Sequence, residues 1–303
     1  MGLLSMPPAP TWPSVLARWS FEAPVVALLA VAALAYVLGR RELPEGGGRG
    51  VLFGAGLGVL AVALLSPVAT YGHALLSAHM VQHLLLVLVA APLLVAARPG
   101  PALLAVLPEG ARRSLMAAGR SRLARLATHP LVAWLAFAAT GWAVHFSPLF
   151  DQALQHPVVH AAEHGLFLGS GLLFWQPVLA DGPRALSYPL RLLYLGLAMP
   201  QNTFLALAIL SADHPLYDAY VHLGRTWGPS VLDDQRQGAG LMWVAGDLTL
   251  LVAVLAVAGA WAGHDRDQEL PDDAEGVEGS EGAEGAEVSG GSAGPPPSPR
   301  RAG

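Results

Sequence analysis

ALLSAHMVQHLLLVLVAAPLLVAA, residues 74–97, decides the class of this chain. A helix that crosses a bilayer needs about 20 predominantly apolar residues. This stretch supplies that length without one Asp, Glu, Lys or Arg, and its polar residues, Ser77, His79, Gln82 and His83, gather near one end. Six more runs are similarly apolar, three of them with a single charged residue (Glu163, Arg191 and Asp247): Ala23–Gly39, Val51–Thr70, Pro130–Ser147, Val158–Leu179, Tyr188–Ser211 and Gly238–Ala262. A soluble helical protein would alternate such segments with amphipathic ones, and this chain does not. The predicted fold is therefore all-α, a polytopic transmembrane bundle of about seven spans. Residues 1–22 read as an N-terminal arm, 23–262 as the bundle, and 263–303 as an acidic Gly/Ser/Pro-rich tail expected to be disordered. The first span lies too far from a small-residue cleavage site to resemble a removable signal peptide.

Orientation is read from arginine, because the chain has no lysine. Arg40, Arg41 and Arg49 follow the first span, Arg98, Arg112, Arg113, Arg120, Arg122 and Arg125 follow the third, and Arg184 and Arg191 stand before and at the start of the sixth. The alternate loops are poor in positive charge. The positive-inside rule then puts the N-terminus outside and the C-terminus inside. The arginine-rich segment 101–128 reads as an amphipathic helix on the anionic inner lipid surface. Membrane lipid is thus an expected partner, and nucleic acid is not. The absence of cysteine excludes disulfides and thiolate metal ligands.

With that topology, nine of the eleven histidines fall on the outer side. His79-Met80-Val81-Gln82-His83 and His160-Ala161-Ala162-Glu163-His164 share the form His-x-x-(Gln/Glu)-His. Residues four apart share a helix face, so each box projects two imidazoles and an oxygen-bearing side chain from one stripe. Random placement of the histidines would give roughly 0.4 such pairs, on the shared-face spacing. The chain has three: His79/His83, His156/His160 and His160/His164.

Ionisable groups inside a membrane mark function by default. Imidazole is the commonest metal ligand. The expected ligands are His79, His83, His160 and His164, with His73, Met80 and His156 as additional candidates. Gln82, Glu163, Gln201, Asp234 and Asp247 are expected to orient them from behind. His145, His214 and His222 read instead as wet residues at helix ends. Imidazole suits copper, zinc, iron and nickel, and a thioether such as Met80 favours Cu(I). Copper leads on these grounds, with zinc and haem iron left open; Met80 could equally be packing filler. The spacing of His160-x-x-Glu163-His164 also matches a metalloprotease motif. A membrane-embedded helix with no third ligand at a recognisable spacing does not suit that chemistry. Asp247 is either functional or hydrogen-bonded to a neighbouring helix.

The first box followed by Ala91-Pro92-Leu93-Leu94, and the second followed by Gly171-Leu172-Leu173-Phe174-Trp175, resemble the CtaG-type cytochrome c oxidase assembly factors, a polytopic bacterial membrane family. Pro200-Gln201, Pro215-Leu216-Tyr217, Asp234-Gln235 and Gly240-Leu241-Met242-Trp243 add to the resemblance, which covers roughly Pro24 to Trp261. It implies a multi-pass protein of the bacterial cytoplasmic membrane, not an enzyme, that helps form a haem–copper oxidase of the caa type. It also implies an oxidase subunit as partner and a part in copper insertion. The lack of cysteine sets the chain apart from the unrelated single-span copper chaperone of the same name. Two other readings compete: a haem-binding redox protein using paired imidazoles, and a scaffold whose histidines are structural.

Overall fold

The structure is a computed structural model and describes residues 6–41, 47–179 and 185–278. Every regular element among them is a helix, and no strand occurs among the described residues. The chain divides into one compact unit, residues 1–257, and a second, residues 258–303.

Five helices are long and apolar enough to cross a membrane, and a sixth crossing arises if one bent pair counts as a span. After a short α1 (Trp12–Ala17), α2 (Ala23–Arg40) and α3 (Gly47–Leu65) form the first two. The expected span Val51–Thr70 is not continuous. Pro67 removes a backbone donor, Ser66 is extended at φ −86° and ψ 178°, and its hydroxyl accepts from Val68 N at 3.1 Å. A separate turn, α4 (Pro67–Gly72), follows.

The third candidate span has three parts: α5 (Leu76–Leu84), a π-helical turn at Leu85–Ala90, and α6 (Ala91–Ala97). Pro92 explains the widening. Its missing N–H and its ring disrupt the preceding turn, and the N–H of Ala91 reaches back to Leu86 O. The π turn frees the carbonyl of Val87, which accepts the Trp175 indole N–H at 2.9 Å.

The segment expected as one amphipathic inner helix is instead three short helices, α7 (Gly100–Ala105), α8 (Glu109–Gly119) and α9 (Arg122–Ala127). Pro108 starts α8 from extended backbone, and Ser121 caps α9 through Ala124 N at 3.1 Å, so the sequence restarts the helix twice. The bent pair is α10 (Pro130–His145) and α11 (Leu149–Gln155), at 68° to each other. Next comes α12 (Pro157–Leu179), 23 residues long. It does not pass as a span on hydropathy, because His160, Glu163, His164 and Gln176 dilute its apolar residues. The remaining helices are α13 (Tyr188–Leu210), α14 (Asp218–His222) and α15 (Val231–Glu278).

Helix α15 runs past the expected end of the last span at Ala262. An existing helix is cheaper to extend than to nucleate, which accounts for helical backbone in the first part of the acidic tail. The remainder, residues 279–303, lies outside the described residues. So does Arg184, one of the arginines used for orientation.

Lipid tails are as apolar as leucine, so the bundle is held by close packing and by polar links between helices. At the centre, α12 packs against α10, α11, the π turn and α6. Gly171 permits the approach: a Cβ there would meet Ala91 Cβ at 3.1 Å and Val87 Cα at 3.2 Å. Phe174, Leu195, Ile209 and Leu250 are fully buried, whereas Val31, Leu193, Leu197, Val252 and Leu255 face outward, as lipid-facing residues should.

Candidate metal centre

One end of the bundle is closed by loops and short helices. Trp227 Nε1 donates to Pro7 O at 3.0 Å, Tyr71 Oη to Pro8 O at 3.3 Å, and Tyr220 Oη to Gly72 O at 2.7 Å. Burial pushes the Tyr220 hydroxyl well above its ordinary value, with Asp234 adding to the rise, so it stays protonated and donates. Just beneath lie the first turns of α5 and α12, which carry the two histidine boxes.

Helix α5 is anchored from across the bundle. No side chain within it caps its N-terminus. Asp234 of α15 does so instead, accepting from Leu76 N at 2.7 Å, Ser77 N at 3.3 Å and Ser77 Oγ at 2.5 Å. The carboxylate satisfies orphan donors and suits the positive end of the helix dipole. Asp234 was expected to support an imidazole; it holds the imidazole-bearing helix. Gln82 also works at this level, donating to Ala63 O at 2.9 Å and tying α5 to α3.

The two boxes face each other. One ligand atom from each of His79, His160, Glu163 and His164 lies within 4.8 Å of all the others. Two nitrogens on one ion, at ~2.0–2.1 Å each, stand at most about 4.2 Å apart. That limit applies to ligands on opposite sides of the ion; a tetrahedral set stands about 3.4 Å pair to pair, so closing on one ion needs the widest pairs to draw in by up to about 1.4 Å. His83 stands beside it, with its Nε2 2.9 Å from His79 Nε2. Glu163 reaches both rings of the first box, at 3.6 Å to His79 Nε2 and 3.7 Å to His83 Nε2.

The polar atoms here are buried and under-satisfied. Both carboxylate oxygens of Glu163, and Nε2 of His160 and His164, lack a hydrogen-bond partner. An uncompensated buried carboxylate is costly, and a cation beside it removes that cost. Phe150 and Phe167 wall the cluster, Phe167 stacking on His83 with ring centres 4.0 Å apart.

The remaining candidates separate. His73 lies at the mouth, its ring 4.9 Å from that of His160. Burial, aided by neighbouring His79 and opposed by Glu22, lowers its pKa and keeps it a neutral lone-pair donor. His156 is exposed at the end of α11 and is not brought to the cluster. Met80 is buried but turned toward α15, where its Cγ would stand 3.1 Å from a Cβ on Gly238. Gln201 lines a cavity next to His83. Asp247 pairs with Asn202 Nδ2 at 3.0 Å and Thr203 Oγ1 at 2.7 Å, so it joins α15 to α13 away from the cluster.

The sequence reading missed His145. Expected to be wet, it is buried at the end of α10, with its ring 6.3 Å from that of His83. It has no histidine one turn away on its own helix, so only tertiary packing joins it to the others.

Fold and site together define a multi-span membrane protein with a buried imidazole–carboxylate group able to hold a metal ion. The family model described as cytochrome c oxidase caa3 assembly factor (Caa3_CtaG) matches residues 30–264, and the chain belongs to that family. Among similar curated proteins are uncharacterized proteins of Mycobacterium bovis and Mycobacterium tuberculosis, each 31% identical over 86% of this chain and 42% of the relative. One of Mycobacterium leprae is 28% identical over 84% of this chain and 41% of its own length. The chain thus spans less than half the length of these curated relatives. No solved structure matches it.

Proposed function

We propose that this protein is a non-enzymatic assembly factor that holds copper in the His79/His160/Glu163/His164 group, with His83 alongside, and aids its insertion into a haem–copper oxidase subunit. One observation carries the reading: the boxes of two different helices converge on a buried carboxylate whose oxygens lack hydrogen-bond donors. Family membership supports an oxidase subunit as the partner. Imidazole and carboxylate alone suit several metals, and a copper-containing client selects among them.

The geometry favours an ion over haem. A macrocycle needs an open plane between its axial imidazoles, and here Glu163 fills the space between the boxes. The topology that fits this role has seven crossings, counting Pro157–Leu179 and the bent pair, in the bacterial cytoplasmic membrane with the N-terminus outside. The arginine distribution supports it. The boxes then open to the side where an oxidase copper site is loaded.

The test uses purified full-length protein in detergent, titrated with Cu(I) against a chromogenic chelator, alongside copper analysis of the oxidase from the same cells. Wild type is expected to take up copper. The His79→Ala/His164→Ala variant should reach the membrane in normal amount, lose the copper held by this group, and leave the oxidase copper-poor. Added copper should partly restore the oxidase when a single histidine is replaced, because occupancy rises with concentration. A fully metallated oxidase in the double variant at low copper overturns the copper role and favours a scaffold.

A further inference from the structure

Beside the histidine–glutamate group lies a cavity of about 60 Å³. It exceeds the ~10–15 Å³ that one water needs. It is far smaller than the ~300 Å³ at which small-molecule pockets begin. An ion with a ligand or two fits it; an organic molecule does not. Its wall includes His83, His145, Met80, Met242, Gln201 and Asn202, drawn from α5, α10, α13 and α15.

His145 is the informative residue. Its Nδ1 lies 2.7 Å from Gly141 O, one turn back on α10. A carbonyl only accepts, so Nδ1 carries the hydrogen and the neutral ring has its lone pair on Nε2. That Nε2 is buried and has no hydrogen-bond partner. Metal-binding histidines show this same arrangement, one nitrogen tied to a backbone carbonyl and the other presented bare. His83 adjoins both places: its Nε2 faces His79 and Glu163, its ring lines the cavity, and its Nδ1 has no partner. Met80 and Met242, both buried, line the same wall and bring thioether-bearing side chains to it. Imidazole with thioether, and no carboxylate, is a donor set for a soft monovalent ion.

We propose that this cavity is a second, Cu(I)-selective site, anchored by His145 and completed by Met80, Met242 and the shared ring of His83. The inference rests on the copper-handling reading of the first group and adds a second station next to it. The contrast in donors separates the two sites chemically. The first offers carboxylate and imidazole, and the second offers sulfur and imidazole. An ion moving from one to the other passes the one donor side chain common to both, His83.

The experiment is anaerobic Cu(I) titration of the full chain in detergent, with X-ray absorption at the copper edge. Wild type is expected to bind two ions, with sulfur among the ligands of one. Met80→Leu/Met242→Leu, a nearly volume-conserving change, should abolish the sulfur signal and weaken one ion at least roughly tenfold, the low end of the loss seen on disturbing a site's supporting shell. His145→Ala should remove the same ion and spare the other. His160→Ala/His164→Ala should remove the nitrogen- and oxygen-bound ion and leave the sulfur-bound one. One ion without sulfur in wild type, unchanged in the methionine variant and in His145→Ala, overturns the second site while leaving the first. No Cu(I) bound by wild type overturns both.

Discussion

At the scale of single residues, Glu163 decides what the centre is. Its carboxylate is fully buried, both oxygens lack hydrogen-bond donors, and its charged neighbours are rings that carry charge only when protonated. Without metal it is a liability to the fold, and with metal it is a ligand. Glu163→Gln keeps the shape and removes the charge. The metal-free variant is therefore expected to be no less heat-stable than wild type, while its metal affinity falls at least roughly tenfold, by analogy with losses on weakening a metal's surroundings. Thermal unfolding with and without Cu(I) checks this. Wild type should gain about 2.7 kcal/mol at a hundredfold excess of metal over its dissociation constant, and the variant clearly less at the same concentration. A metal-free variant much weaker than wild type would mean that the carboxylate is structural. His129, exposed and on the far side of α10 from His145, is the control whose replacement should change neither quantity.

At the scale of elements, the boxes meet because their helices are held from outside. Asp234 caps α5 from α15. The Trp175 indole grips the carbonyl released by the π turn, and Gly171 lets α12 close on that turn. Asp234→Ala leaves the Leu76 and Ser77 donors without a partner. It should cost about 1–2 kcal/mol of stability, as lost helix caps do, and should also weaken metal binding, because the first turn of α5 carries His79. Asp247→Asn is the matched comparison. It perturbs an interhelical link of ordinary size, about 0.6 kcal/mol, and should leave the affinity of the His79/His160/Glu163/His164 group unchanged, because its partners Asn202 and Thr203 belong to α13 and not to that group. Denaturation in mild detergent with a parallel metal titration separates the two. Equal effects on affinity would show that the cap does not position the box.

At the scale of the whole molecule, the arginine asymmetry predicts that reporters fused after Arg49, after Arg125 and in the C-terminal tail sit in the cytoplasm. Fusions near Gln155 and Gly224 should sit outside. An external signal at Arg125 would reverse the side on which the histidines open. The sequence alone determined the class of the fold, because apolar run length is a direct demand of the bilayer. It also determined that His79/His83 and His160/His164 form stripes, because residues four apart share a face on any helix. Everything that depended on which faces meet was left to the tertiary structure. Met80 and Gln82 sit inside the first box yet point to α15 and α3. His156 has box spacing yet is exposed. His145 has no pattern in the sequence and is buried against His83. The breaks at Ser66 and in the π turn were signalled by Pro67 and Pro92, but their geometry was not. Short-range spacing fixes direction only relative to a residue's own helix axis. The rotation of each helix about that axis, and hence which donors share a cavity, is set by long-range packing such as Gly171 against Val87 and Asp234 against Leu76.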